Sequence, residues 1–403
     1  MQARVGRLAS PRQRAGRHGR VSNLHRGVSG QRDGIGTLPS MKAPVLHAVR
    51  EPLVVEDVQL DEPRAGEVLV RMAASGVCHS CLHAADGSWA APLTPMVLGD
   101  EGAGVVEQVG PGVSRLQPGD HVILSWAPNC GRCRACVTGH PVRCENRPQA
   151  GVMLDGTTRM HLDGQSVYHY ASIATFGSYS VVPESAAIKI RDDVSLETAA
   201  LIGCSVMTGV GAVLNTAGVR AGESLVVVGC GGIGLNAVQG GRLASAQPLI
   251  AVDVADNKLE YAKALGATHA INASREDVGE VVRRLTDGRG ADYAVVAVGS
   301  TQAAAMAWGT LGRGGTCVMV GLPPAGEKIQ IDPGSLVGPE RRLVGSCYGS
   351  ASVFADFPRM VELYLAGKLK IDELITRRYT IGEVNEAFRA LTAGELARGI
   401  IVF

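Results

Sequence analysis

The sequence predicts an α/β protein of two domains, a β-rich, barrel-like one followed by a doubly wound parallel sheet. Three observations carry that prediction. Short period-two runs cut by Gly and Pro extend from Met41 to about Cys204, strands alternate with helices from about Ser205, and a glycine motif stands at the first strand–helix junction of the second half. The 403 residues are about the length of two domains. A hydrophobic content of 46% is enough for substantial cores, and with aromatics at only 4% their packing has to be aliphatic.

In the first half, residues 67–72 (EVLVRM), 104–109 (GVVEQV) and 120–124 (DHVIL) read as strands bounded by turn residues. In the second, Leu225–Gly229, Pro248–Asp253 and Asp292–Val298 read as strands, while Gly234–Ala244, Asn257–Leu265 and Val278–Leu285 read as helices. That alternation predicts a parallel sheet covered on both faces. Helices near Phe357–Ala366 and Ile381–Leu391 and a closing strand, Gly399–Phe403, are expected to return to the first domain. The expected divisions are an extension at 1–40, a first domain at 41–205, a parallel-sheet domain at 206–346 and a returning segment at 347–403.

The net charge of +1 hides an asymmetry. Residues 1–40 hold eight Arg and one acid, Asp33, so the remainder of the 39 basic and 38 acidic residues balances at −6. A mildly acidic body does not present a basic face to nucleic acid. The leader lacks the apolar region of a secretory signal and reads as a disordered extension or a start codon called too early, with an Arg-rich organellar targeting peptide as the alternative. No apolar run reaches the length of a bilayer span, because glycines and polar residues interrupt each one. A soluble, cytoplasmic protein is expected.

Cys130, Cys133, Cys136 and Cys144 are spaced C-x2-C-x2-C-x7-C, with Gly131, Gly139 and Pro141 bending the chain between them. Thiolates so close in sequence wrap a tetrahedral zinc ion, whereas x2 loops strain disulfides. A closed structural zinc lobe is expected over residues 126–148.

Residues 226–234 (VVVGCGGIG) form a strand running into G-x-G-x-x-G and then a helix. Gly229 allows the tight turn, Gly231 lets backbone approach a pyrophosphate, and Gly234 lets helix and strand pack closely; Gly232 and Ile233 open the helix whose free N–H groups face the phosphates. Asp253, ending the next strand, suits both ribose hydroxyls and would repel a 2′-phosphate, which favours NAD.

Three further segments stand out: 76–83 (GVCHSCLH), 98–104 (LGDEGAG) and 201–209 (LIGCSVMTG). With the cysteine lobe and the glycine motif, they resemble the zinc-containing medium-chain alcohol dehydrogenases over residues 41–403. The long segment Cys144–Val182 resembles the branch holding their class I and class III members. The resemblance implies a GroES-like β-rich catalytic domain, a Rossmann NAD-binding domain, about two zinc ions per subunit and a homodimer.

Carried over by residue, the resemblance makes Cys78 and Cys204 thiolate ligands of a catalytic zinc. Asp100 stands where most members have a His ligand, and Glu101, beside it, is a reserve ligand. A third anionic ligand would make the metal a weaker Lewis acid and its binding more sensitive to low pH. Cys81 stands where Asp is usual, which leaves it as bystander, altered neighbour of the metal or ligand of a rearranged site. Ser80 and His83 match a proton relay. His79, Thr208, Lys258, Leu322 and Arg398 match cofactor contacts, and Trp126, Tyr170 and Leu322 match the substrate pocket.

The implied activity is oxidation of an alcohol or the reverse, with zinc acting as a Lewis acid and NAD accepting hydride. The alternatives are a thiol-adduct (glutathione or mycothiol) formaldehyde dehydrogenase, for which Arg147 lies near the anionic adduct, a zinc-independent reductase, and a non-catalytic NAD-binding protein with Asp100 marking a dead site.

Overall fold

Six parallel strands build the sheet of the second half, in the order His269–Asn272, Leu249–Asp253, Leu225–Val228, Ala291–Val296, Leu311–Met319 and Arg342–Gly345. The computed structural model describes residues 40–89 and 92–403. The Arg-rich leader therefore lies outside the described residues apart from Ser40. Leu225–Val228 is buried at all four positions, the continuous apolar run expected of a strand covered on both faces. Strand order reverses on either side of it, so a crevice opens at its carboxyl end, where Gly229 begins the glycine motif.

The covering helices include Gly232–Leu243, Asp256–Leu265, Val278–Leu285 and Thr301–Thr310. Their starts follow from local chemistry. The Asp277 and Ser300 side chains accept from the backbone N–H groups of Glu280 and Ala303, satisfying donors that the helices leave free.

The first half divides into a closed barrel and a larger sheet. The barrel joins Met41–Leu46, Val54–Leu60, Met160–Leu162, Gln165–His169 and Met96–Val97. The sheet runs through Ala187–Lys189, His121–Leu124, Gly102–Val109, Glu67–Gly76, Arg398–Val402 and Ile375–Tyr379, with Tyr179–Pro183 added beside Glu67–Gly76. The last strand, Arg398–Val402, thus pairs antiparallel with Glu67–Gly76, placing Ile401 opposite Ser75.

A helical run, Leu196–Ala217, crosses residues 205 and 206 without a break. By length and composition it corrects the expectation that no apolar stretch is long enough to span a bilayer. Within its 22 residues an 18-residue stretch reaches a mean hydropathy of 1.5, yet 89% of that stretch is buried inside the protein. Its apolarity serves the core between the two halves. The run widens into π turns at Ile202–Val206 and Ala212–Ala217, a form concentrated at functional sites. Cys204 lies in the first of them.

Arg159 is wholly buried. Its Nε donates to Glu67 Oε2 at 2.8 Å and its Nη2 to Asp155 Oδ2 at 2.7 Å, so it ties a sheet strand to the barrel. Removing one partner of such a buried pair costs about 3–5 kcal/mol, because the remaining charge is stranded. The Arg159 backbone N–H donates to His169 Nε2 at 2.9 Å. Burial, reinforced by the Arg159 cation, pushes the His169 pKa down to about 3. The neutral ring is therefore the native form, and stability is present above the unfolded histidine value of about 6.5 and lost as pH falls toward the native value. His169→Gln keeps an acceptor and cannot be protonated, so its melting temperature should fall less between pH 6.5 and 4 than that of the wild type. Parallel pH profiles of melting temperature for the two proteins would refute this.

Candidate metal and nucleotide site

Cys78 precedes the helix His79–Asp86 as its N-cap, where free N–H groups and the helix dipole favour a thiolate. Cys204 approaches from the π turn, and Asp100 from the turn after Gly99. Gly99 has φ +104°, and a Cβ there would meet Thr175 Oγ1 and Phe176 N at 2.5 Å, so the turn requires glycine. One donor atom from each of Cys78, Asp100 and Cys204 lies within 4.8 Å of the others, and all three residues are buried. The neighbouring Cys204 thiol holds Cys78 well below the ordinary thiol range, with the Arg398 cation adding to the effect.

The Asp100 carboxylate is gripped at both oxygens. Oδ2 accepts from the Ser80 hydroxyl, and Oδ1 accepts from the Cys81 thiol at 3.5 Å. Burial, and then the negative charge of Cys78, push its pKa up to about 7. Cys81 is wholly buried, and burial followed by the Asp100 charge keeps it a neutral thiol. It therefore serves Asp100 as a donor.

Tetrahedral zinc with bonds of about 2.0–2.3 Å holds its donors roughly 3.3–3.8 Å apart, a spacing compatible with donors that all lie within 4.8 Å of one another. Two sulfurs and one carboxylate oxygen leave a fourth position open, as a catalytic zinc requires. Glu101 is not among these donors, which corrects its expected role as a reserve ligand. Its Oε1 accepts from the Ser205 N–H at 2.7 Å, and its Oε2 pairs with Arg398.

Arg398 is buried, and the same guanidinium stem lies against Gly232, where a Cβ would meet Arg398 Cδ at 2.6 Å. It thus bridges the metal triad and the glycine motif. His79 lies near it and Lys258: partial desolvation of the ring lowers the His79 pKa, and both cations lower it further. Thr208 is buried on the helix Met207–Gly211, which crosses the dinucleotide helix so closely that a Cβ on Gly209 would strike Ile233 O.

The glycine motif has the shape its residues demand. Gly229 adopts φ +91°, a Cβ on Gly234 would collide with Gly229 O, and a Cβ on Gly231 would meet nothing within 4 Å. That last space is what a close-lying pyrophosphate needs. Asp253 also has a local task that sequence reading missed: its Oδ2 accepts from the Cys230 N–H at 2.7 Å and its Oδ1 from the Val254 N–H at 2.8 Å, fixing the loop it faces.

Ser80 and His83 are not joined to each other. His83 Nδ1 pairs with Ser88 Oγ at 2.7 Å, and its ring lies 4.8 Å from that of Trp89. Tyr170 donates to Ser80 O at 3.0 Å, and Trp126 stacks on Tyr348 at 4.2 Å between ring centroids. Trp126 and Tyr170 pack against the apolar cluster that contains Cys78, Cys81 and Cys204. Leu322 does not join them: it is 61% exposed, on the loop whose carbonyl faces Gly299. Tyr348 was missed from the sequence. Its hydroxyl donates to Gly203 O, beside Cys204, and its left-handed backbone (φ 55°) has no signature in the residues around it.

Cys130, Cys133, Cys136 and Cys144 also converge within 4.8 Å and form no disulfide. Backbone N–H groups of Cys130, Cys133 and Glu145 point at the sulfurs of Cys144, Cys130 and Cys133, at 3.3, 3.4 and 3.5 Å. The Arg132 backbone N–H, then the Asn146 amide, bring Cys130 down to about 6. N–H donors aimed at sulfur favour thiolates, so the lobe is prepared for a metal with four protein ligands.

Residues 232–366 match the family model described as zinc-binding dehydrogenase, and residues 64–192 match the alcohol dehydrogenase GroES-like domain. The chain belongs to the zinc-binding dehydrogenases. This zinc-binding dehydrogenase is 43% identical over 366 residues to an NDMA-dependent alcohol dehydrogenase of Amycolatopsis methanolica, covering 90% of this chain and 98% of that one. It is 39% identical to an S-(hydroxymethyl)glutathione dehydrogenase of Paracoccus denitrificans, over 90% and 99% of the two chains. The crystal structure of benzyl alcohol dehydrogenase from Acinetobacter calcoaceticus superposes with a TM-score of 0.86 at 33% identity, covering 91% of this dehydrogenase and all of that chain.

The two donor sets are separable by mutation. Cys136→Ser should lower zinc from about two per subunit to about one and reduce the melting temperature, while Cys204→Ala should remove the other ion with a smaller loss of stability. Metal analysis and thermal melts check this, and an unchanged zinc content in either variant would contradict the corresponding assignment.

Proposed function

We propose that this zinc-binding dehydrogenase reversibly oxidises an alcohol to an aldehyde or ketone and passes the hydride to NAD. The observation that carries the reading is a buried, three-donor set with one open position, joined through Arg398 to a dinucleotide loop. Zinc held by Cys78, Asp100 and Cys204 supplies Lewis acidity toward the alcohol oxygen, and NAD supplies the hydride acceptor.

The chain's own residues do the rest. Ser80 presents a hydroxyl at the donor set and is placed to take the alcohol proton. His83, partly exposed on the same helix, is the outlet, because imidazole exchanges protons near neutrality. Trp126 and Tyr170 supply apolar walls that exclude water from an apolar substrate tail. Arg398, His79 and Lys258 gather positive charge beside the helix N-terminus, where a pyrophosphate is favoured. Asp253 supports NAD over NADP, since a carboxylate at that strand end repels a 2′-phosphate.

A second reading, oxidation of a thiol adduct of formaldehyde, is favoured by one observation. Trp126 Nε1, Asn129 Nδ2 and Arg147 Nε are buried donors without partners among the described residues, and an acceptor-rich substrate end would satisfy such groups. Turnover on long-chain primary alcohols against formaldehyde with glutathione or mycothiol separates the two.

Asp100→Ala should lose the catalytic zinc and alcohol-dependent NADH formation together. Asp100→His should keep the zinc and shift the pH–rate profile. Zinc absent both before and after Asp100→His would reject Asp100 as a ligand. Asp253→Ala should cut the preference for NAD over NADP by on the order of tenfold, about 1.4 kcal/mol, read from the ratio of kcat/KM values.

A further inference from the structure

On the opposite edge of the parallel sheet from the glycine motif lies an open cleft of about 440 Å³. It forms at the amino-terminal ends of the strands Ala291–Val296, Leu311–Met319 and Arg342–Gly345. Arg283, Arg289, Arg313 and Arg341 line it, and no carboxylate does. Its remaining lining is mostly glycine, with Gly288 and Gly290 at φ +80° and +81°, so backbone rather than side chain shapes the floor.

Four guanidinium groups around one concavity repel one another unless something offsets their charge. Little among the described residues does so. Arg341 donates from Nε to Gly312 O at 3.2 Å and from Nη2 to Leu311 O, at the carboxyl end of the helix Thr301–Thr310. Carbonyls hold it in place without neutralising it. Arg289 has only Asp287 at 3.9 Å, with both side chains exposed, a contact of little strength. Arg283 and Arg313 make no ion pair among the described residues, although surface arginines elsewhere in the chain pair closely, as Arg191 does with Asp193 at 2.6 Å. A planar donor fork is the side chain suited to phosphoryl oxygens, and the cleft is large enough for a small ligand.

We propose that this cleft binds a compact anion carrying two phosphoryl groups, at a site separate from the metal triad and the dinucleotide loop. The fixed Arg341 fork marks the inner end, and Arg283 and Arg313 close on the anion from the helix end and the strand. The ligand would cross-link the carboxyl end of Val278–Leu285, the loop at 286–290 and the edge of the sheet. Its binding should therefore stabilise the folded protein by mass action.

The test is calorimetric titration of the zinc-loaded full chain with inorganic pyrophosphate, and in a second arm with a sugar bisphosphate, which distinguishes a free anion from a phosphorylated metabolite. The comparison protein is Arg283→Gln with Arg313→Gln, both exposed positions; anion held at the dinucleotide loop appears equally in both proteins and cancels. We expect the wild type to bind one more equivalent of one probe than the variant, or to bind it at least tenfold more tightly, with a ligand-dependent rise in melting temperature that the variant lacks. Superimposable isotherms for both probes overturn the site. If the double variant melts lower without ligand, the Arg313→Gln single variant takes its place with the same two outcomes.

Discussion

The buried pair of Glu101 and Arg398 is the contact through which the two halves of this dehydrogenase meet at the chemistry. Glu101 follows Asp100, one of the three converging candidate donors, and its other oxygen accepts from Ser205, the residue after a second, Cys204. Arg398 opens the last strand and carries its stem against Gly232, the first residue of the dinucleotide helix. Four segments far apart in sequence are therefore placed by one ion pair. Breaking it would strand a charge in the interior at a cost of about 3–5 kcal/mol. It would also release the positions of Asp100, Cys204 and the phosphate-facing helix together. The pair is fully enclosed because it must sit where the catalytic half closes on the nucleotide half.

Charge balance explains what surrounds Asp100. Two thiolates and a carboxylate would leave a Zn²⁺ held there one negative charge in excess, while Glu101 and Arg398 cancel each other. A buried excess charge is costly unless donors surround it. Ser80 and Cys81 are those donors, one on each oxygen of Asp100. A carboxylate at position 81 would face Asp100 as a like charge; a neutral thiol does not. The Asp at position 100 and the Cys at 81, two separate oddities in the sequence, become one arrangement in space. Because Ser80 donates to Asp100, the hydroxyl proposed to take the substrate proton is also coupled to that carboxylate.

Much of this was legible in the residues, for identifiable reasons. The four-cysteine lobe and the glycine motif are local: their ligands lie within 15 or fewer residues, so spacing determines geometry. The helix expected at Val278–Leu285 coincides with the observed one, which begins where the Asp277 side chain accepts from the Glu280 N–H. What escaped was long-range or conformational. The commitment of Glu101 depends on a partner almost 300 residues later, so nothing in the residues around it shows the ion pair that the fold builds. Tyr348 depends on a left-handed turn shared with Gly349 and Ser350, two of the three being residues that seldom adopt it. The helix Leu196–Ala217 escaped because its glycines read as interruptions, whereas Gly203, Gly209 and Gly211 permit close approach of neighbouring backbone.

The closed lobe is not mechanically isolated from the open site. Arg147, just beyond Cys144, donates to Val142 O and lies over the Trp126 ring at 5.7 Å. Trp126 stacks on Tyr348, and Tyr348 donates to the carbonyl of Gly203, next to the ligand Cys204. Aromatic stacking and a buried hydrogen bond each contribute about 1 kcal/mol, too little to unfold the protein if disturbed but enough to shift a ligand by a fraction of an ångström. A catalytic metal site tolerates such shifts poorly, because the open position has to face the substrate at a fixed angle. The order of the four-cysteine lobe is thus passed through Arg147, Trp126 and Tyr348 to the backbone beside Cys204.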